Sequence, residues 1–172
     1  GLNLDSTIQI VGKHKRLRKL SKKGTIVMVP THFSHLDSAL IGWIISHLGL
    51  PAFMYGAGLV LYNLKIFAYF FNSLGAYKVD RRKKHILYLE TLKTYTERAI
   101  VNGCHNLFYP GGTRSRSGSI EKNLKLGLLG STLEAQKELN KVNKKIYIVP
   151  VTFNYQFVLE GPALINQHLS KN

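Results

Sequence analysis

Acidic side chains are the scarcest class for a chain of this size: 9 Asp and Glu stand against 24 Lys and Arg in 172 residues, a formal charge of +15. Such a surface repels other cations and attracts nucleic acid, anionic lipid or phosphorylated small molecules. Cysteine is nearly absent too. Cys104 is alone, so no internal disulfide can form, and a reducing compartment suits the chain. No Cys/His grouping has zinc spacing, and no metal is expected. Apolar runs fall short of the roughly 18 to 20 residues that span a bilayer. The nearest are "ALIGWIISHLGL" (39–50), broken by Ser46 and His47, and "LVLYNLKIFAYFFNSLG" (59–75), broken by Asn63 and Lys65. Both read as buried core helices, with an interfacial position of one of them as the alternative.

The positive charge is clustered. "KHKRLRKLSKK" (13–23) and "DRRKKH" (80–85) are dense, and "TRSRSG" (113–118) is a smaller group. A solvated face and a nuclear-targeting signal are both readings of the first cluster. The first residue is Gly1 and not Met, as expected of a trimmed chain or of part of a longer protein, and no signal peptide is visible at the start. A length of 172 residues suits a single domain, 1–172, with elements that complete it lacking at one end or the other.

Strand-like and helix-like segments alternate. Strands are predicted at 24–30, 52–57, 76–79, 105–109 and 145–155, and helices at 36–48, 59–74, 83–103 and 124–139. In 83–103 the apolar positions Ile86, Leu87, Leu89, Leu92, Tyr95, Ala99 and Ile100 recur at mostly three or four, an amphipathic helix with Gly103 beyond its end. The alternation predicts an α/β fold with a mainly parallel central sheet flanked by helices.

The densest chemistry is "VPTHFSHLDSAL" (29–40), between the first strand and the first long helix. His32 and Asp37 are five apart, about 140° on one ideal helix, so they meet only if His32 precedes the helix and Asp37 opens it. The carboxylate would then hold one imidazole nitrogen and leave the other as a general base. A plain helix cap at Ser34 or Asp37 is the ordinary alternative, and His35 is a rival base. Two further segments also follow strands. "FYPGGTRSRSG" (108–118) brings glycine amides, Thr113, Arg114, Ser115 and Arg116, and "GAYKVDRR" (75–82) brings Arg81; both suit a phosphate. Ligands of open α/β sheets gather at the carboxyl ends of strands, so the three segments can share one pocket.

In order and spacing these residues resemble the glycerolipid acyltransferases, which act on glycerol-3-phosphate, dihydroxyacetone phosphate or lysophosphatidate. The first family block, a His and an Asp with four residues between them and a Ser after the His, corresponds to His32, Ser34 and Asp37. The second corresponds to "GAYKVDR", from Gly75 to Arg81, the third to "YPGGTRS", and the fourth to "IVPV" (148–151). Gly111 departs from the pattern, standing where the third block carries Glu. "NYQFVLEG" (154–161) looks more like the glycerol-3-phosphate and dihydroxyacetone-phosphate branches, which carry a Tyr and a downstream Glu there.

The resemblance implies a glycerol-3-phosphate acyltransferase-like fold and an O-acyltransferase of phospholipid synthesis. It would move a fatty acyl group from an acyl-CoA or acyl-carrier-protein thioester to a hydroxyl of glycerol-3-phosphate or a close analogue, without a cofactor. His32 and Asp37 would be catalytic, and Arg81, Gly112, Thr113, Arg114 and Ser115 would hold the acceptor's phosphate. An amphiphilic product implies an anionic membrane surface as partner and a membrane-associated location on the cytosolic face. A lysophosphatidate acyltransferase is the alternative within the family. A non-catalytic membrane-surface protein of the same fold, its activity lost at Gly111, is the alternative outside it. A nucleic-acid partner rests on charge alone and has no recognisable motif behind it.

Overall fold

A computed structural model describes residues 4–34, 36–58, 75–80, 82–112, 124, 126–156 and 161–170. Helices α1 (Leu4–Thr7) and α2 (His14–Ser21) precede strand β1 (Thr25–Pro30) and helix α3 (Leu36–His47). Strands β2 (Met54–Gly58) and β3 (Ala76–Val79) follow, then helix α4 (Ile86–Val101) and strand β4 (Asn106–Leu107). Helix α5 (Gly127–Asn140), strand β5 (Ile146–Val151) and helix α6 (Gly161–Leu169) complete the described elements. The expected helix 59–74 lies outside the described residues.

The five strands form one sheet in the order β3-β2-β4-β1-β5, with every pair parallel. β1, an interior strand between β4 and β5, is almost wholly buried, and its alternating side chains feed two cores. Ile26 and Met28 pack with Ile41 and Ile45 of α3 on one face. Val27 packs with Ile100 of α4 and Ala135 of α5 on the other. The expected parallel sheet with helices on both faces is therefore present.

Strand order explains the two layers. The chain moves outward from β1 to β2 and β3, then reverses through α4 to β4 and on through α5 to β5. Crossovers between parallel strands keep a right hand, so a reversal of direction moves the connecting helices to the opposite face. Neighbours β1 and β4 thus send their chains to opposite faces, α3 on one side and α5 on the other. The carboxyl ends of those two strands flank the crevice where open α/β sheets place ligands.

Two strands are shorter than their sequence patterns. β5 stops at Val151 and not at Tyr155, because the backbone ladder ends there: Phe153 N–H donates at 3.4 Å to the Thr31 side-chain Oγ1 in place of a backbone carbonyl. Pro150 inside β5 is tolerated because β5 is an edge strand. β4 contains only Asn106 and Leu107, since buried His105 meets β1 with its side chain: Ile26 N–H donates to His105 Nδ1 at 3.0 Å. Gly75, which opens the second block, has a left-handed φ of 81°, and a β-carbon there would come within 2.9 Å of the Phe53 carbonyl oxygen. Only glycine meets both conditions without strain.

Helix α4 departs most from expectation. Its second half buries Thr96, Ala99 and Ile100, but Ile86, Leu87, Leu89 and Tyr95 are exposed. Periodicity marked one continuous apolar face, and the protein buries only the part that overlies the sheet.

Candidate active site

At the end of β1 the chain leaves the sheet at Pro30, tied once more to β5 by Thr31 N–H to the Val151 carbonyl at 3.0 Å. Residues 31–34 then loop back to start α3. Ser34 does the capping, accepting Leu36 N–H on its Oγ at 3.1 Å. Asp37, in the first helical turn, is released from that task and folds its carboxylate into the loop.

That carboxylate is fully buried and fully used. Oδ2 accepts the amides of Phe33 at 2.6 Å and Ser34 at 2.9 Å, and lies 3.2 Å from His32 Nδ1. Oδ1 accepts the hydroxyl of Tyr155, carried in from beyond β5. Burial, the largest influence, pushes the Asp37 pKa up. The hydrogen bonds from His32, Tyr155, Ser34 and Phe33 together outweigh it and hold the group below its ordinary range. Asp37 is therefore an anion, and an anion can only accept, so His32 carries its proton on Nδ1 and leaves Nε2 as the basic nitrogen.

The other side of the imidazole is fixed by Tyr109, at the carboxyl end of neighbouring β4. The two rings stack with centroids 4.2 Å apart and planes 28° from parallel. Tyr109 is anchored in turn, its hydroxyl 3.3 Å from Ser38 Oγ on α3, and burial pushes its pKa up to about 12, so it stays neutral. An apolar cavity lined by Ile41, Ile45, Phe53 and Leu107 lies against the Ser38–Tyr109 pair. His32 keeps 15% of its side chain exposed.

Beyond Tyr109 the chain turns back sharply, with Gly112 N–H donating to the Tyr109 carbonyl at 2.9 Å. Gly112 has a left-handed φ of 69°, which favours glycine; Gly111 does not, so the backbone itself would accept another residue there. Among the predicted site residues, His32 and Asp37 are thus in contact, and Gly112 stands one strand away at the same sheet edge. Arg81, Thr113, Arg114 and Ser115 lie outside the described residues, as does His35. Tyr155 and Tyr109 had not been picked out as site residues. Tyr155 sits in the stretch that resembles the glycerol-3-phosphate branch, and Tyr109 opens the third block. Among the described residues, no three His, Cys, Asp or Glu gather as a metal site would require.

A buried carboxylate holding an imidazole at the switch point of a parallel sheet is equipment for moving a proton to or from a bound hydroxyl. A family model described as acyltransferase matches residues 9–154, and the chain belongs to that family. The curated relatives narrow the comparison. Glycerol-3-phosphate acyltransferase of Alteromonas mediterranea is 33% identical over 159 residues, 91% of this chain and 19% of that protein. The enzymes of that name from Baumannia cicadellinicola and Haemophilus ducreyi are each 34% identical over 84% of this chain and 18% of their own length. The chain therefore spans about a fifth of the length of the curated relatives it matches.

Proposed function

We propose that this chain carries the acyl-transfer centre of a glycerol-3-phosphate acyltransferase of phospholipid synthesis. The observation that carries the reading is the His32–Asp37 contact. His32 Nε2 takes the proton from a hydroxyl of glycerol-3-phosphate as the oxygen forms its bond to the thioester carbonyl carbon. Asp37 stabilises the imidazolium that results. When the carbon–sulfur bond breaks, the same proton passes to the departing thiolate of the acyl-CoA or acyl-carrier protein. No cofactor enters the step. Tyr109 keeps the imidazole plane fixed throughout, which limits the reorganisation needed at the moment of reaction.

The acceptor's phosphate is held by Arg81, Arg114, Thr113 and Ser115, with the Gly112 amide assisting, and the apolar cavity beside Tyr109 takes part of the acyl group next to the thioester. Guanidinium groups suit this task because they pair with two phosphate oxygens at once. The membrane is the partner surface on the cytosolic side, since donor and product both carry long apolar chains. Among the described residues, no helix is long and apolar enough to cross a bilayer.

Gly111 favours a second reading, a membrane-surface protein that keeps the fold without turnover. An acyl-transfer assay of the full-length protein with glycerol-3-phosphate, dihydroxyacetone phosphate and lysophosphatidate decides between them. Transfer to glycerol-3-phosphate above the other two is expected, with Arg114→Ala raising the acceptor KM. Failure with all three acceptors would support the second reading, and preference for lysophosphatidate would move the protein to the other branch.

A further inference from the structure

We infer that the exposed start of α4, Ile86 and Leu87 with Lys83 and Lys84 before them, is the surface by which this domain docks on an anionic lipid bilayer. The choice of lipid as occupant rests on the acyl-transfer reading above; the surface itself rests on exposure, charge and position. Ile86 is 73% and Leu87 69% exposed, and Leu89 on the next turn is 40% exposed. On a helix Ile86 neighbours Leu87 in sequence and Leu89 one turn on, so the three cluster at the start of α4. Glu90 and Lys93, next along that face, are paired with each other at 2.6 Å and bound the cluster on its C-terminal side.

The patch is held rigidly. Asp80 N–H donates to Tyr88 Oη at 2.9 Å, pinning the helix to the end of β3, and His85 caps the helix by accepting Leu87 N–H on Nδ1 at 3.3 Å. Tyr88 points inward while Ile86 and Leu87 project outward. Of the cations leading into α4, Arg82 is paired with Asp80 at 3.1 Å, and Lys83 lies 5.5 Å from the centre of the Tyr88 ring. Lys83 and Lys84 thus border the apolar residues without a carboxylate partner among the described residues. Apolar side chains rimmed by lysines match a surface with an acyl interior and anionic headgroups.

Position completes the argument. α4 starts just past the carboxyl end of β3, and in a parallel sheet all carboxyl ends share one edge. That edge holds His32, Asp37 and Gly112. A bilayer met through Ile86 and Leu87 would face the mouth of the site, so an acyl chain could enter from lipid and the product return to it. The other dense basic segment, α2, belongs to the opposite edge. Arg18 Nε donates to the Leu48 carbonyl at 2.6 Å, just past the far end of α3, and no large apolar side chain of α2 is exposed.

The test is vesicle cosedimentation of the full-length protein with phosphatidylcholine alone and with phosphatidylcholine containing phosphatidylglycerol. Preferential binding to the anionic vesicles is expected. Ile86→Ser/Leu87→Ser and, separately, Lys83→Ser/Lys84→Ser should each weaken it roughly tenfold or more. Unchanged thermal unfolding of both variants, and an unchanged transfer rate from a water-soluble short-chain acyl-CoA, would show the fold and site intact. Vesicle binding is read without turnover, so a protein that fails every acyl-transfer assay still decides the surface. Undiminished vesicle binding by the Ile86→Ser/Leu87→Ser variant would overturn the proposal. So would a halving of its light-scattering mass relative to the parent, which would assign the patch to a second copy of the chain.

Discussion

Two histidines sit at opposite ends of neighbouring strands and show what makes one of them chemical. His32 follows β1 at the carboxyl edge; His105 precedes β4 at the amino edge. Each engages Nδ1 and each lies against an aromatic ring, Tyr109 in one case and Phe53 in the other. Their partners differ in sign. His32 Nδ1 faces a carboxylate that can only accept, so it holds a proton there and leaves Nε2 basic. His105 Nδ1 accepts the Ile26 amide, so its proton belongs on Nε2 and a second proton would break the bond to β1. Burial then holds the His105 pKa below its ordinary value. The same side chain is a candidate base at one edge and a neutral strand connector at the other.

The largest expected effect breaks that pair apart. His32→Ala should lower kcat/KM by about 10²–10⁴-fold, the usual worth of a positioned general base, with the fold retained and unfolding made easier by about 1.5–3 kcal/mol as Asp37 loses one donor. His105→Ala should act on stability alone. It orphans the buried Ile26 amide and opens a cavity, costing about 2–4 kcal/mol in a denaturant titration while leaving the rate of the folded enzyme near the parent value. Full transfer by His32→Ala together with a dead His35→Ala would move the base to His35.

Tyr155→Phe sharpens the comparison, because only His32 has its partner braced from behind. Loss of the hydroxyl leaves Asp37 Oδ1 without its donor. Unfolding should become easier by about 1.5–3 kcal/mol, the range for a hydrogen bond to a charged group. The carboxylate should also protonate at higher pH than in the parent, and kcat should fall about tenfold with acceptor KM little changed.

The smallest effect is a pH dependence of stability. The folded His105 pKa lies below the unfolded value near 6.5, so between the two the unfolded chain binds more protons. Its contribution is complete above about pH 6.5 and is lost as pH falls towards the folded pKa. The slope is at most about 1.4 kcal/mol per pH unit. His105→Gln, which keeps an acceptor but does not titrate, should flatten the fall in Tm between pH 7 and 5. Asp37 acts in the acid range instead: its folded pKa is depressed, so its contribution disappears only below about pH 4.

Much of this was readable in the chain because the cues are local. His32 and Asp37 share one loop and one helical turn, so spacing alone says how they must meet. The alternation of elements likewise dictates a parallel sheet. Tyr155 was not readable, because its contact with Asp37 crosses 118 positions and exists only because β5 lies beside β1. His105 looked like an ordinary first residue of a strand, and nothing in "HNLFY" says that its ring replaces a ladder acceptor. In α4, spacing marked the apolar face correctly but could not say that Ile86, Leu87 and Leu89 stay exposed. Periodicity reports which side of a helix is apolar, not what covers it.

The account stands on His32 and Asp37 acting as one proton-transfer unit, and a double-mutant cycle on kcat/KM tests that most directly. With glycerol-3-phosphate and an acyl-CoA, His32→Ala, Asp37→Asn and the double variant of the full-length protein are compared. If the carboxylate acts through the imidazole, the double variant is no slower than His32→Ala alone. Losses that multiply, with the double variant slower by the product of the two single effects, would contradict the account.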